Sequence, residues 1–220
     1  MFVAIVPAYE EEKRIEPVVQ SLLGYVDQVV VVDDGSSDAT AKKAAQAGAV
    51  VLRHRINRGQ GAALETGHAY ASDNHVDAVL HFDGDGQFDV HDIPQARAAM
   101  KVAGADVLFG SRMLDTRSNT PWLKRYIIFP LARLFHRYMY GIRLTDVHNG
   151  FRILSNNALR KIVIKQDRMA HATEIPAQVH AAGLAYIEYP VKVTYHEYGQ
   201  QARAGIHILV DLLFGSFVKK

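Results

Sequence analysis

Short apolar runs alternate with longer stretches in which apolar positions recur at helical spacing. The runs at 2–6, 28–32, 49–53, 78–82 and 105–109 are rich in Val, Ile, Leu and Ala and are bounded by turn residues, which predicts buried strands. Between them, 11–23, 38–47, 61–72 and 93–102 predict helices. Strands separated by helices predict an α/β fold, with a mostly parallel, Rossmann-like central sheet covered on both faces. The second half reads differently. Over 122–142, Trp122, Tyr126, Phe129, Phe135, Tyr138 and Tyr140 are interleaved with Lys124, Arg125, Arg133 and Arg137. Pro130 interrupts this stretch and predicts two short helices or one kinked helix. Residues 186–195 predict another strand. Residues 206–218 predict an amphipathic helix, with Ile206, Leu209, Val210, Leu213, Phe214 and Phe217 apolar, ahead of Lys219-Lys220.

Composition narrows this picture. With no internal repeat or linker, 220 residues suffice for one sizeable core, so residues 1–220 are expected to form a single domain. The net charge of +2 and pI near 8.7 are too mild to imply a nucleic-acid partner, and none is expected. The chain has no cysteine, which excludes disulfides and thiolate metal sites and is compatible with a reducing compartment. The opening Met1-Phe2-Val3-Ala4-Ile5-Val6-Pro7 lacks a basic n-region and a long apolar stretch, so it reads as a first strand. No run approaches the roughly 18 apolar residues of a membrane span.

In parallel sheets, ligands bind beyond the carboxyl ends of the strands, and the polar residues gather there. Pro7, Tyr9 and Glu11 follow the first run, and Asp33 and Asp34 the second. Asn57-Arg58-Gly59-Gln60-Gly61 follows the third, and Asp83-Gly84-Asp85-Gly86-Gln87 the fourth. Two carboxylates at i and i+2, where a strand opens into a glycine turn, can converge on one hard divalent cation able to grip a diphosphate; an ordinary solvated Asp-Gly turn is the alternative. Asp34 can accept hydrogen bonds from a nucleobase or ribose, with helix capping left to Ser37 or Asp38. Tyr9 can pack on a base. Glu11 can hold a ribose hydroxyl or serve as a first-turn helix carboxylate. In 57–61, glycines allow close backbone approach to a ligand, and a helix N-terminus favours an anion. Arg112, in Gly110-Ser111-Arg112, can pair with a phosphate or lie at the surface. In Asp146-Val147-His148-Asn149-Gly150-Phe151-Arg152, Asp146 can act as a base or hold an acceptor. Arg152 can pair with Asp146 or bind phosphate. Eleven histidines are scattered without a zinc-site motif; His171 and Glu174 share an i,i+3 face, more in the manner of packed polar contacts than of ligands.

The ordered motifs Pro7-Ala8-Tyr9-Glu10-Glu11, Val32-Asp33-Asp34-Gly35-Ser36, Asn57-Arg58-Gly59-Gln60-Gly61, Asp83-Gly84-Asp85-Gly86-Gln87, Gly110-Ser111-Arg112 and Asn149-Gly150-Phe151-Arg152 resemble the family 2 glycosyltransferases of GT-A fold. The resemblance is greatest to the branch that loads sugars onto dolichyl and polyprenyl phosphates. It implies an inverting transfer of a hexose from a UDP- or GDP-sugar, assisted by Mg²⁺ or Mn²⁺. Residues 1–112 would form the nucleotide-sugar half, and 113–220 the acceptor- and membrane-facing half. Pro7, Tyr9, Glu11, Val32, Asp34, Asp83, Gly84 and Asp85 would hold the donor. Asp85 and Gln87 would ligate the metal, with Asp83 close by. Arg112 would contact a phosphate. Asp85, Arg112 and Asp146 are thus the catalytic candidates, and Arg112, Arg152 and Arg203 the acceptor-binding ones. Arg203 lies in a stretch, 195–205, that loosely resembles an acceptor loop. Glu10 departs from the family, where asparagine is usual, which questions a turn hydrogen bond.

A phosphate acceptor needs no strong base; a sugar hydroxyl needs one, with Asp146 or Glu174 as candidates. The 122–142 and 206–218 segments suit a helix lying in a lipid headgroup layer, which places the enzyme peripherally on the cytoplasmic membrane face; core cover or a homodimer interface is the alternative. The rival functions are transfer to a growing saccharide in surface polysaccharide assembly, a nucleotide-sugar-binding module without turnover, and a nucleotidyltransferase. The acidic Ala8-Tyr9-Glu10-Glu11 turn argues against the last.

Overall fold

The computed structural model describes residues 1–118, 122, 126–127, 130–131, 133–134 and 141–194. Most of the segment 122–142, all of 206–218, where helices are expected, and 195–205 with Arg203 therefore lie outside the described residues.

Among the described residues these elements follow in order: β1 (Phe2–Ala8), α1 (Ile15–Leu22), β2 (Gln28–Asp33), α2 (Thr40–Gln46), β3 (Val50–Arg53), α3 (Gln60–Asp73), β4 (Ala78–His81), α4 (Asp92–Ala103), β5 (Val107–Ser111), β6 (Arg152–Ser155), α5 (Asn156–Lys161), α6 (His171–Ala181) and β7 (Tyr186–Pro190). The strands form one sheet in the order β3-β2-β1-β4-β6-β5-β7. Every pairing is parallel except those of β6, which runs antiparallel to β4 and to β5. The mostly parallel α/β sheet expected from the sequence is present.

β1 is buried along its whole length. Its alternate residues feed two cores, as a period of two requires. Val3 and Ile5 join Val30, Val32, Leu64 and Phe109 on one face. Phe2, Ala4 and Val6 join Ile15, Val19, Leu22 and Ile93 on the other. The helix α3 presses on β1 through small residues. A Cβ at Gly67 would overlap the Ile5 side chain, so only glycine permits that approach. The effect is to hold the N-terminus of α3 beside the tips of β2 and β4.

Two differences from the sequence expectation matter for the site. β6 was not foreseen. Its four residues begin with an arginine and carry no periodicity of their own; what makes them a strand is the pair of open edges on β4 and β5. The strand expected over 186–195 ends at Pro190, and Val193 returns only as an isolated bridge to Phe88.

Candidate active site

The ends of β1, β2, β4, β5 and β6 and the turn between β3 and α3 carry the six motifs, and the motifs hold one another. The turn after β1 is tied to the turn after β2. Glu10 N–H donates to Ser36 Oγ at 2.9 Å, and Glu11 N–H to Thr40 Oγ1 at 2.9 Å. The turn hydrogen bond questioned at Glu10 is thus made by the backbone. Tyr9 is exposed at the rim, while Pro7 and Val32 are buried cross-strand neighbours. Glu11 pairs with Arg14 at 2.9 Å, and burial pushes its carboxyl above the usual range against that pairing. Asp33 turns inward, accepting Ser36 N–H at 3.1 Å, with the Arg53 guanidinium 2.9 Å away. The start of α2 is served by Asp38, which accepts Thr40 N–H at 2.9 Å.

Asp34 is 3% exposed and its carboxylate is already engaged. It accepts Arg58 N–H at 2.9 Å, Gly59 N–H at 2.6 Å and His54 Nδ1–H at 2.7 Å. His54 reaches Thr66 Oγ1 with its other nitrogen, at 2.8 Å. Asp34 therefore anchors the 57–59 turn. The glycines of that turn have a different use from the one expected. A Cβ at Gly59 would overlap the Asp167 carbonyl, and one at Gly61 the Gln166 carbonyl. Ala62 N–H, at the start of α3, donates to Asp167 O at 3.0 Å. The helix N-terminus is thus capped by the chain's own backbone, and the close approach that glycine permits is to residues 166–167, not to an anion.

Gln60, the first residue of α3, donates from Nε2 to Asp83 Oδ1 at 2.7 Å. On its other side Asp83 lies against Gly150, where a Cβ would overlap the carboxylate. Burial, reinforced by the neighbouring Asp85 charge, pushes Asp83 up to about 7. Asp85 accepts Gln87 N–H at 3.0 Å, and Gln87 O accepts Thr194 N–H at 2.9 Å. Gly84 is buried beneath the Pro7 carbonyl. Beside Asp85 opens a groove of about 570 Å³ between α1 and the 85–90 loop, rimmed by Lys13 and Arg14 and floored by Val18 and Phe88.

Arg112 meets Asp146 in a forked pair, Nε to Oδ2 at 2.6 Å and Nη2 to Oδ1 at 2.6 Å, with Arg112 N–H adding a third bond at 3.0 Å. Asn149 Nδ2 donates to the same carboxylate at 3.2 Å. Asp146 was expected to pair with Arg152, if with any arginine; its partner is Arg112. Although burial opposes it, the Arg112 guanidinium holds Asp146 below the usual carboxylate range. Arg152 is 1% exposed. Burial lowers it to about 10, while the Asp83 and Asp146 charges act to keep it protonated. Its charge acts in turn to lower Asp83. Glu174, the other candidate base, is occupied: it accepts Lys165 N–H at 3.0 Å and Gln166 N–H at 2.9 Å.

Whether these residues fit a divalent cation can be judged from the donor set. Among the described residues no group of three or more His, Asp or Glu side chains is placed to hold a metal alone. Asp83 and Asp85 instead form a pair in which one charge raises the other's pKa, a repulsion that a cation relieves. Mg²⁺ is commonly held by one or two carboxylates, with substrate phosphates and waters completing its shell. The fit is to a cation brought in company with a diphosphate. Gln60 and His54 were not among the expected site residues. Gln60 lay within a recognised motif, but nothing in its spacing gives its reach to Asp83. His54 follows β3, the strand beside β2, and that position was the available signal.

Residues 3–166 match the family model described as Glycosyl transferase family 2. An uncharacterized protein of Methanocaldococcus jannaschii, MJ1222, is 35% identical over 98% of this chain and 90% of its own. The polyprenol monophosphomannose synthase of Mycolicibacterium smegmatis is 28% identical, over 93% of this chain and 81% of its own. Among solved structures, the glucosyl-3-phosphoglycerate synthase of Mycobacterium tuberculosis in complex with Mn²⁺, UDP and glucosyl-3-phosphoglycerate shares the fold. Its TM-score is 0.70 at 19% identity, covering 98% of this chain and 79% of that one.

Proposed function

This chain belongs to glycosyl transferase family 2 and is a glycosyltransferase, and on that premise we propose that it moves a hexose from a UDP- or GDP-sugar to a polyprenyl phosphate, with inversion at the anomeric carbon. The observation that carries this reading is the Asp83–Asp85 pair at the tip of β4, beside an open groove and inside a ring of mutually bonded turns. Asp83, Asp85 and the Gln87 amide would hold Mg²⁺ or Mn²⁺. When bound, the cation neutralises charge that grows on the departing diphosphate. Tyr9, Glu11 and the turn anchored by Asp34 would receive the nucleoside. In the transfer, the bond from the anomeric carbon to the diphosphate oxygen breaks and takes its electron pair with it. An acceptor oxygen forms the new bond from the opposite face.

The partners of the two candidate bases support the choice of a phosphate acceptor. Asp146 is buried and already bonded to Arg112 and Asn149, and Glu174 already accepts the backbone N–H groups of Lys165 and Gln166, so both candidate bases are occupied by partners of their own. A phosphate oxygen is anionic near neutral pH and requires no such base. The relative named polyprenol monophosphomannose synthase supports the same choice. Among the described residues no helix is long and apolar enough to cross a membrane. Trp122, Tyr126, Ile127, Leu131 and Leu134 are exposed, and such a surface suits lipid headgroups. On that ground we propose peripheral attachment to a membrane surface; the cytoplasmic face is part of the proposal and rests on the family resemblance alone.

The test is a transfer assay with a panel of nucleotide sugars, Mn²⁺, and either polyprenyl phosphate or an oligosaccharide as acceptor. Product should form on the lipid phosphate with one donor class. Asp85→Ala should lower kcat/KM by at least about a hundredfold, the scale of one lost charge-stabilising group. Turnover retained in Asp85→Ala would remove its metal role, and product on the oligosaccharide alone would move the enzyme to polysaccharide assembly.

A further inference from the structure

Gln60 stands one residue beyond the two amide groups that Asp34 grips. Its own backbone has little freedom. Gly59 sits at φ 108 with the Asp167 carbonyl in the space of its missing Cβ, and Gly61 is closed in the same way by the Gln166 carbonyl. Ala62 N–H is bonded to Asp167 O at 3.0 Å. The side chain launched from this backbone reaches Asp83, with Nε2 2.7 Å from Oδ1. Gly150 closes the opposite side of the same carboxylate. A carboxylate that would otherwise rotate is pinned between an amide donor and a backbone wall. The donor is neutral. A lysine there would pair with Asp83 and compete with any cation; an amide orients the carboxylate and leaves its charge intact.

We propose that Gln60 is a positioning residue for the divalent cation, fixing the plane of the Asp83 carboxylate from the turn that Asp34 anchors. The inference rests on the reading of Asp83 and Asp85 as the cation-binding pair. It also makes one strut, residues 57–60, serve both the nucleoside end and the diphosphate end of the site. A ligand carboxylate held by an outer hydrogen bond loses on the order of tenfold or more in metal affinity when that bond is removed.

The test is Mn²⁺ binding by the purified full chain, followed by electron paramagnetic resonance with saturating UDP or GDP, in the wild type, Gln60→Met and Gln60→Asn. Methionine keeps the length and removes the donor. Asparagine keeps the amide and falls a methylene short. Both should raise the Mn²⁺ Kd by on the order of tenfold, while metal-free nucleotide affinity and the thermal midpoint stay near wild type. An unchanged Mn²⁺ Kd in either folded variant overturns the proposal. So does a rise matched by equal losses in metal-free nucleotide affinity and thermal midpoint, which would mean Gln60 only supports the turn. If Gln60→Met does not fold, Gln60→Asn decides. A wild type that binds no Mn²⁺ with either nucleotide removes the cation reading itself, and this inference with it.

Discussion

Glu10 is one of two non-glycine residues with positive φ among those described, at 55°. The left-handed region costs an L-residue on the order of 1–2 kcal/mol, and asparagine bears it better than glutamate. The glutamate contributes one exposed bond in return, accepting Ser37 Oγ–H at 3.0 Å. Glu10→Asn, the residue the family resemblance leads one to expect, should stabilise the fold by on the order of 1 kcal/mol in urea titration; no gain would mean the Ser37 bond offsets the strain. The same scale shows what a list of polar residues hides. The sequence offered both Asp34, at the tip of β2, and Asp146, in the loop before β6, as site candidates. Their partners were not legible there. Asp34 is spent on the 57–59 turn and Asp146 on Arg112, and these pairings depend on loop paths that no local pattern encodes.

At the scale of elements, the strands and helices of the first half were legible because each buries a continuous apolar face and closes on turn residues. β1, with Phe2 to Ile5 fully buried on both faces of the sheet, is the clearest case. β6 and α5 were not, being short and defined by their neighbours, although Ser155 at the start of α5, accepting Ala158 N–H at 3.2 Å, was a readable cap. The glycines of the third motif show how a right residue can carry a wrong reason. They serve the packing of α3 on the 166–168 backbone, so Gly61→Ala should be costly despite alanine's better helix propensity. We expect a loss of about 1–3 kcal/mol from overpacking, read as a lower urea midpoint. An unchanged midpoint would return that site to a ligand.

The whole molecule carries a pH signature. Burial lowers His68, His148 and His171 to about 4 and His81 well below its ordinary value. Their folded pKa values lie below the unfolded 6.5, so below that pH the unfolded chain binds more protons and stability falls with pH, through the window from about 6.5 to 4. His68 alone accounts for on the order of 3 kcal/mol across that window. Asp83, raised to about 7, acts with the opposite sign across that whole range, and burial raises Glu11, Glu65 and Glu188 in the same sense; against them stand the four imidazoles and the lowered carboxyls of Asp38, Asp89 and Asp146. The thermal midpoint should drop steeply between pH 6.5 and 5; a flat profile would mean that these histidines find water in the folded state. The sheet order has a consequence of another kind. β6 is hydrogen-bonded to both β4 and β5, so the fourth and fifth strands have no direct bond to each other. A nascent chain leaving the ribosome must present residue 155 before its sheet can close. Until then it displays two raw edges, and a fragment stopped short of that point would seek strands from other molecules.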